Sequence, residues 1–205
     1  MAGLAALAEQ DPRLGAVVAA AGPLPWRTRQ PGFPGLLRAI CGQQISNQAA
    51  GAIWGRLRAI PGALDPAGLL LLDDAMLCGV AGLSRPKAAH ARSLATACVT
   101  GQLDFAGLRS MADAEALAHI AAVKGLGPWT AAVHLLFAEQ RPDVFPPGDV
   151  ALAAGAAHLL ALPERPSFKA LTIMAEAWRP WRSLAARLLW HHWRFATGRP
   201  AGEEP

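Results

Sequence analysis

An all-α fold is what this sequence predicts. Ala and Leu dominate it, and β-branched residues are sparse. No run alternates apolar and polar side chains with period two for long, whereas helix-start signals recur just ahead of apolar stretches. The 205 residues are 53% hydrophobic and 17% charged, enough apolar mass for a core and too little charge for a disordered chain.

Taken in order, the start signals are these. Asp65 precedes Pro66, and Ser84 precedes a helix over 85–100. Asp104 precedes 105–109, and Asp113 opens a helix over 114–122. A helix over 128–138 follows, then one over 150–162 behind Asp149, and one over 168–177 behind Ser167. Pro and Gly punctuate at 22–25, 31–35, 61–62, 125–128, 146–148 and 163–166. Roughly ten to twelve short helices joined by tight turns describe a compact helical unit, with two lobes and a cleft left open. No linker long enough to separate independent domains is present, and the small polar tail at 198–205 is expected to fray.

Cys41, Cys78 and Cys98 are widely spaced and form no C-x-x-C pair. That argues against a disulfide framework, a zinc site and a cysteine-ligated iron–sulfur cluster, and suits a reducing cytoplasm. The N-terminus has no basic stretch ahead of its apolar residues, and no apolar run reaches the ~20 residues of a membrane span. A cytoplasmic location without membrane association is therefore expected. The six histidines form neither H-x-x-x-H nor H-E-x-x-H, so no metal hydrolase site is readable. Net charge is +4, and only Lys87, Lys124 and Lys169 among the nineteen cations are not Arg. Arg grips phosphate bidentately, which permits a nucleic-acid partner without requiring one.

The most informative stretch runs Val123-Lys124-Gly125-Leu126-Gly127-Pro128-Trp129-Thr130. Gly125 and Gly127 allow a tight hairpin with positive φ, and Leu126 can turn inward to pin it. Pro128 fits the first turn of the next helix, where no donor is lost. The amides of the hairpin and helix start then form an anion site suited to a DNA phosphate. A plain helix–Gly–helix connection would need none of the ordered residues that follow Gly127.

This stretch resembles the hairpin of the helix-hairpin-helix DNA glycosylase superfamily, in which the motif is paired with a Gly/Pro-rich loop and an Asp. About twenty residues on, Asp143-Val144-Phe145-Pro146-Pro147-Gly148-Asp149 resembles that loop. Upstream, Gly42-Gln43-Gln44-Ile45-Ser46 resembles the GQQ(I/L)S segment of the alkylpurine branch, DNA-3-methyladenine glycosylase II. Gly82-Leu83-Ser84-Arg85-Pro86-Lys87-Ala88 resembles its GLSxxKA segment, and Trp178-Arg179-Pro180-Trp181-Arg182-Ser183-Leu184-Ala185 its WRPxRSxA segment. These segments keep the family's order over roughly residues 33–195.

The resemblance implies a monofunctional glycosylase that excises alkylated bases from damaged duplex DNA, as a monomer, in base excision repair. It assigns catalysis to Asp149, which by position alone would equally be an ordinary helix N-cap. A helix N-terminus favours negative charge, and a fixed carboxylate there can stabilise an oxocarbenium-like sugar. In relatives that also nick the backbone, the residue two after the second hairpin Gly is a Schiff-base lysine. Here that position is Trp129, and an indole forms no imine, so no lyase activity is expected. Trp129 and Trp181 are the base-pocket candidates, because aromatic faces attract a cationic alkylpurine. Trp26, Trp54, Trp178, Trp190 and Trp193 are expected in the core.

Gln44 takes the wedge position that props the gap left by a flipped base, with Gln43 structural. The DNA-gripping set is Lys124, Gly125, Leu126, Gly127 and Thr130. The backbone carbonyls of Ala121, Val123 and Gly125 would hold a Na+ or K+ ion. The implied fold is a two-lobed core without the family's N-terminal β domain: a hairpin lobe of about residues 36–143, and a second lobe of about 1–35 with 145–197. A DNA-binding helix-hairpin-helix module without chemistry, or a glycosylase for another damaged base, are the alternatives.

Overall fold

The computed structural model describes residues 2–198, and of Ala2 only the backbone. Twelve α-helices and no strand occur among the described residues: α1 (Ala2–Gln10), α2 (Pro12–Ala21), α3 (Gly32–Gly42), α4 (Asn47–Arg58), α5 (Pro66–Leu70), α6 (Arg85–Val99), α7 (Phe105–Leu108), α8 (Asp113–Ala121), α9 (Pro128–Phe137), α10 (Val150–Leu159), α11 (Phe168–Ala175) and α12 (Arg182–Ala196). A π-helical turn, Ala75–Val80, and a 3₁₀ turn, Glu176–Trp178, complete the regular structure. The all-α expectation holds over these residues. No helix among them is long and apolar enough to cross a membrane.

The chain forms two compact units, one from Thr28–Glu139 and one from the residues up to Arg27 together with those from Gln140 on. In the first, α3 packs on α4, α6 and α9, α5 packs on α6, and α8 packs on α9. Leu36, Leu37, Ile40, Leu94, Ile120 and Leu135 are fully buried there. Helix α9 is apolar on all sides, and every residue from Thr130 to Phe137 is buried, as a central helix requires. In the other unit α12 packs against α2 and α10. Gly155 of α10 makes that close: a Cβ there would lie 2.7 Å from the Leu189 carbonyl oxygen.

Local chemistry sets most helix starts. Asp65, Ser84, Asp104, Asp149 and Ser167 each accept a backbone N–H of the first turn that follows. Asp11 and Ser46 do the same ahead of α2 and α4, with the same residue types in the same positions. Asp113 is a correction: Ala112 is the cap, and Asp113 lies in the first turn of α8, where its charge meets the helix dipole. The stretch 31–35, expected as a break, opens α3 instead, because Pro34 sits in the first turn and takes no donor from the helix. Helix α10 stops at Leu159, short of the expected 162, where Ala161 turns to φ +51°. The tail expected at 198–205 lies, beyond Gly198, outside the described residues.

Candidate active site

The unit Thr28–Glu139 carries the hairpin. Between α8 and α9 the chain turns through Gly125 at φ +96°, a left-handed conformation suited to glycine. A Cβ there would lie 2.3 Å from His90 Cγ, so the hairpin has no room for a side chain at this point. Gly127 differs from expectation. Its φ is −80°, because it already serves as the extended N-cap of α9 and only one left-handed residue is needed to reverse the chain. Leu126 is buried and its N–H donates to the Val123 carbonyl, which closes the turn. Pro128 occupies the first turn of α9.

The Gln43 amide donates to the Gly125 carbonyl at 2.9 Å and so ties the end of α3 to the hairpin. Lys87 Nζ donates to the Cys41 carbonyl at 2.8 Å. These two bonds fasten the stretch just before Gln44, which is exposed and left-handed at φ +57°. Few residues other than glycine adopt that conformation, and it costs on the order of 1 kcal/mol. Lys124 is exposed and Trp129 half-buried, whereas Thr130 is only 7% exposed and faces the interior.

The other unit carries the carboxylate. Asp149 is 6% exposed and caps α10, its Oδ1 accepting the Leu152 N–H at 2.7 Å. The same oxygen accepts the indole N–H of Trp190 at 3.3 Å. Gly148, at φ +72°, turns the loop into the cap. Trp181 is half-buried at the start of α12, and a Cβ on Gly3 would lie 2.9 Å from its ring, so the indole lies against the backbone of α1.

Residues 37–183 match the HhH-GPD superfamily base excision DNA repair protein model. The chain belongs to that superfamily. Among solved structures, this HhH-GPD protein is similar to the DNA-3-methyladenine glycosidase of Bacillus halodurans at 31% identity and a TM-score of 0.86, over 97% of this chain and 93% of that one. It is similar to the 3-methyladenine DNA glycosylase of Schizosaccharomyces pombe, solved in complex with abasic DNA, at 25% identity and a TM-score of 0.80, over 95% and 96% of the two chains. In sequence it is 28% identical over 158 residues to DNA-3-methyladenine glycosylase 1 of the same yeast, covering 76% of this chain and 69% of that protein. Of two bacterial relatives matched in sequence it spans only 31% and 32%.

Trp190, which the HhH-GPD chain was expected to keep as a plain core residue, is the side chain that touches the Asp149 carboxylate. Its burial, 2% exposed, fits the core reading, but its indole N–H has a polar partner. The general rule that a buried Trp seeks an acceptor for its N–H implied some partner without saying which. Trp54 and Trp178 are buried as expected, at 8% and 3% exposed. Trp26 is not, at 66% exposed. The buried Arg187 guanidinium lies 4.5 Å from its ring centroid and donates to the Arg27 carbonyl, and that contact holds the indole on the surface. Trp193 is half-buried, edge-on to His158.

Proposed function

We propose that this protein is a monofunctional DNA glycosylase that releases alkylated bases of the 3-methyladenine type from duplex DNA. Asp149 carries the reading. It is a buried carboxylate, fixed by a backbone amide and an indole, at the end of a Pro-rich loop in a chain of this superfamily.

Hydrolysis of the N-glycosidic bond leaves positive charge on the sugar as the base departs with the bonding electrons. Asp149 stabilises that charge and orients or deprotonates the water that attacks C1′. An N-alkylated purine is already cationic and leaves readily, so the site needs no strong acid. The face of Trp129 offers such a base an attraction of about 0.5 to 2 kcal/mol. Trp129 also replaces the amine a β-lyase would need, so the product is an intact strand with an abasic site.

The hairpin grips a phosphate through backbone amides, helped by the exposed Lys124, because Gly127 caps α9 without a side chain of its own. Thr130 serves this grip through its backbone, its side chain being buried. Gln44 fills the gap left by the flipped base. Val123 and Gly125 carbonyls each accept one hydrogen bond and have two lone pairs, so with the Ala121 carbonyl they suit a Na+ or K+ ion. Such an ion would add positive charge beside the bound phosphate.

The test is release of free base from methylated duplex DNA by the wild type and by Asp149→Asn. Release by the wild type, lost in the variant with DNA binding kept, is the expected result. Binding without release by the wild type would leave a DNA-binding module with no chemistry.

A further inference from the structure

The loop that carries Asp149 is fastened to one short stretch of chain. Asp143 is only 9% exposed although it is charged. Arg182 Nε donates to its Oδ1 at 2.8 Å, and Arg182 Nη2 donates to its Oδ2 at 3.1 Å and to its backbone carbonyl at 2.7 Å. Arg179 Nη1 donates to Oδ2 at 2.8 Å. The residues on either side are fastened too. Ser183 N–H donates to the Pro142 carbonyl at 3.0 Å. Ser183 Oγ donates to the Val144 carbonyl and accepts the Val144 N–H, both at 2.9 Å. Phe145 packs on Trp178, with ring centroids 6.0 Å apart. Glu176 braces the clamp from behind by accepting from both Arg179 and Arg182.

Resting on the catalytic reading of Asp149, we propose that Arg182 and Asp143 form a positioning pair for that carboxylate. Four consecutive residues, 142 to 145, are pinned to the segment 178–183. From Phe145 to Asp149 the chain runs through Pro146, Pro147 and Gly148, and the two prolines have fixed φ. Little slack separates the clamp from the acid. Helix α12, which begins at Arg182, also carries Trp190, so one rigid element sets both the loop backbone and the Asp149 side chain. A fork with parallel N–H donors fixes direction as well as distance, which a lysine at position 182 would not. A shift of about 1 Å in a reacting group can cost on the order of a hundredfold in rate.

The experiment is single-turnover base release from methylated duplex DNA at saturating enzyme. Its rate constant is independent of how much enzyme is folded as long as folded enzyme stays in excess of the DNA, and a thermal melt of each variant reports stability separately. Arg182→Gln and Asp143→Asn are expected to lower the rate constant by about tenfold or more, with affinity for abasic-site DNA within about twofold of wild type. Arg182→Lys should recover only part of the rate. Arg179→Gln, which loses the more exposed arm, should cost less. A clamp that only stabilises the fold would lower the melting temperature and leave the rate constant unchanged, and that result overturns the proposal. If Arg182→Gln does not fold, Asp143→Asn and Arg182→Lys decide by the same criterion. Should the wild type release no base, the catalytic reading fails and this one with it. Should Asp149→Asn abolish release while the clamp variants keep the wild-type rate constant, only the positioning pair is lost.

Discussion

Trp190 and Asp149 stand 41 residues apart and meet through a hydrogen bond from the indole N–H to Oδ1 at 3.3 Å. Trp190→Phe removes that donor and keeps most of the packing. The expected result is a fall in excision rate of about tenfold with little change in DNA affinity. Single-turnover kinetics beside a binding titration check this. An unchanged rate would return Trp190 to a core role.

The two hairpin glycines should respond differently. At Gly125 an added methyl meets His90 at 2.3 to 2.7 Å, and the backbone is left-handed. Gly125→Ala should cost about 1–3 kcal/mol of stability and weaken DNA binding. At Gly127 nothing lies within 4 Å of the added methyl and φ is ordinary. Gly127→Ala should therefore melt within about 1 kcal/mol of wild type. Thermal melts of the pair, with binding isotherms, compare them directly. Equal destabilisation would contradict this geometry.

Asp11 gives the fold an acid-sensitive joint. It caps α2, accepts from Arg13, and takes the Trp178 indole N–H at 3.2 Å. The Arg13 guanidinium, with Trp178, holds its carboxyl below the usual carboxylate range against the opposing effect of burial. A carboxyl depressed in the folded state stabilises above its unfolded value, and that contribution fades as pH falls through the folded value. Asp11→Asn should lose about 1 kcal/mol at neutral pH. Its stability should then fall less than the wild type's from about pH 4 downward. Denaturant melts from pH 7 to 2 measure both slopes.

A second pH-dependent element joins α10 and α12. His158 Nδ1 and His192 Nε2 share a hydrogen bond at 2.8 Å, and His192 Nδ1 is buried without a hydrogen-bond partner. Burial holds His192 below the usual imidazole range, and the neighbouring His158 and His191 push the same way. The unfolded chain takes up this proton first, so stability drops as pH falls below about 6.5. His192→Phe should flatten the stability profile between about pH 6.5 and 5. A slope equal to wild type would count against the pair.

Most helix starts and the hairpin, apart from the conformation of Gly127, were readable because their causes are local. An Asp or Ser ahead of an apolar run, or a Gly-Leu-Gly-Pro turn, determines its own geometry. Asp113 misled because Ala112 already holds the extended conformation that a cap needs, with no side-chain bond. Contacts across long stretches of sequence were not readable. Nothing near Trp190 points to Asp149, nothing near Trp26 announces the Arg187 cation beneath it, and nothing near Trp181 says that its ring lies on Gly3. The segment 178–183 was recognisable as a motif, yet its hydrogen bonds to the 142–144 stretch come from Arg179, Arg182 and Ser183, none of them singled out from sequence.

The order in which these parts leave a ribosome follows from the division at Thr28 and Gln140. Residues 28–139 form a continuous segment, so its internal contacts need nothing made after residue 139. Helices α1 and α2 are made before that segment yet pack against α12, which is made after it. Until then the faces of α1 and α2 that α12 covers stay open to chaperones or to proteases. Asp149 likewise emerges well before the indole that fixes it. A nascent chain therefore carries a finished hairpin for some time before its acid is set.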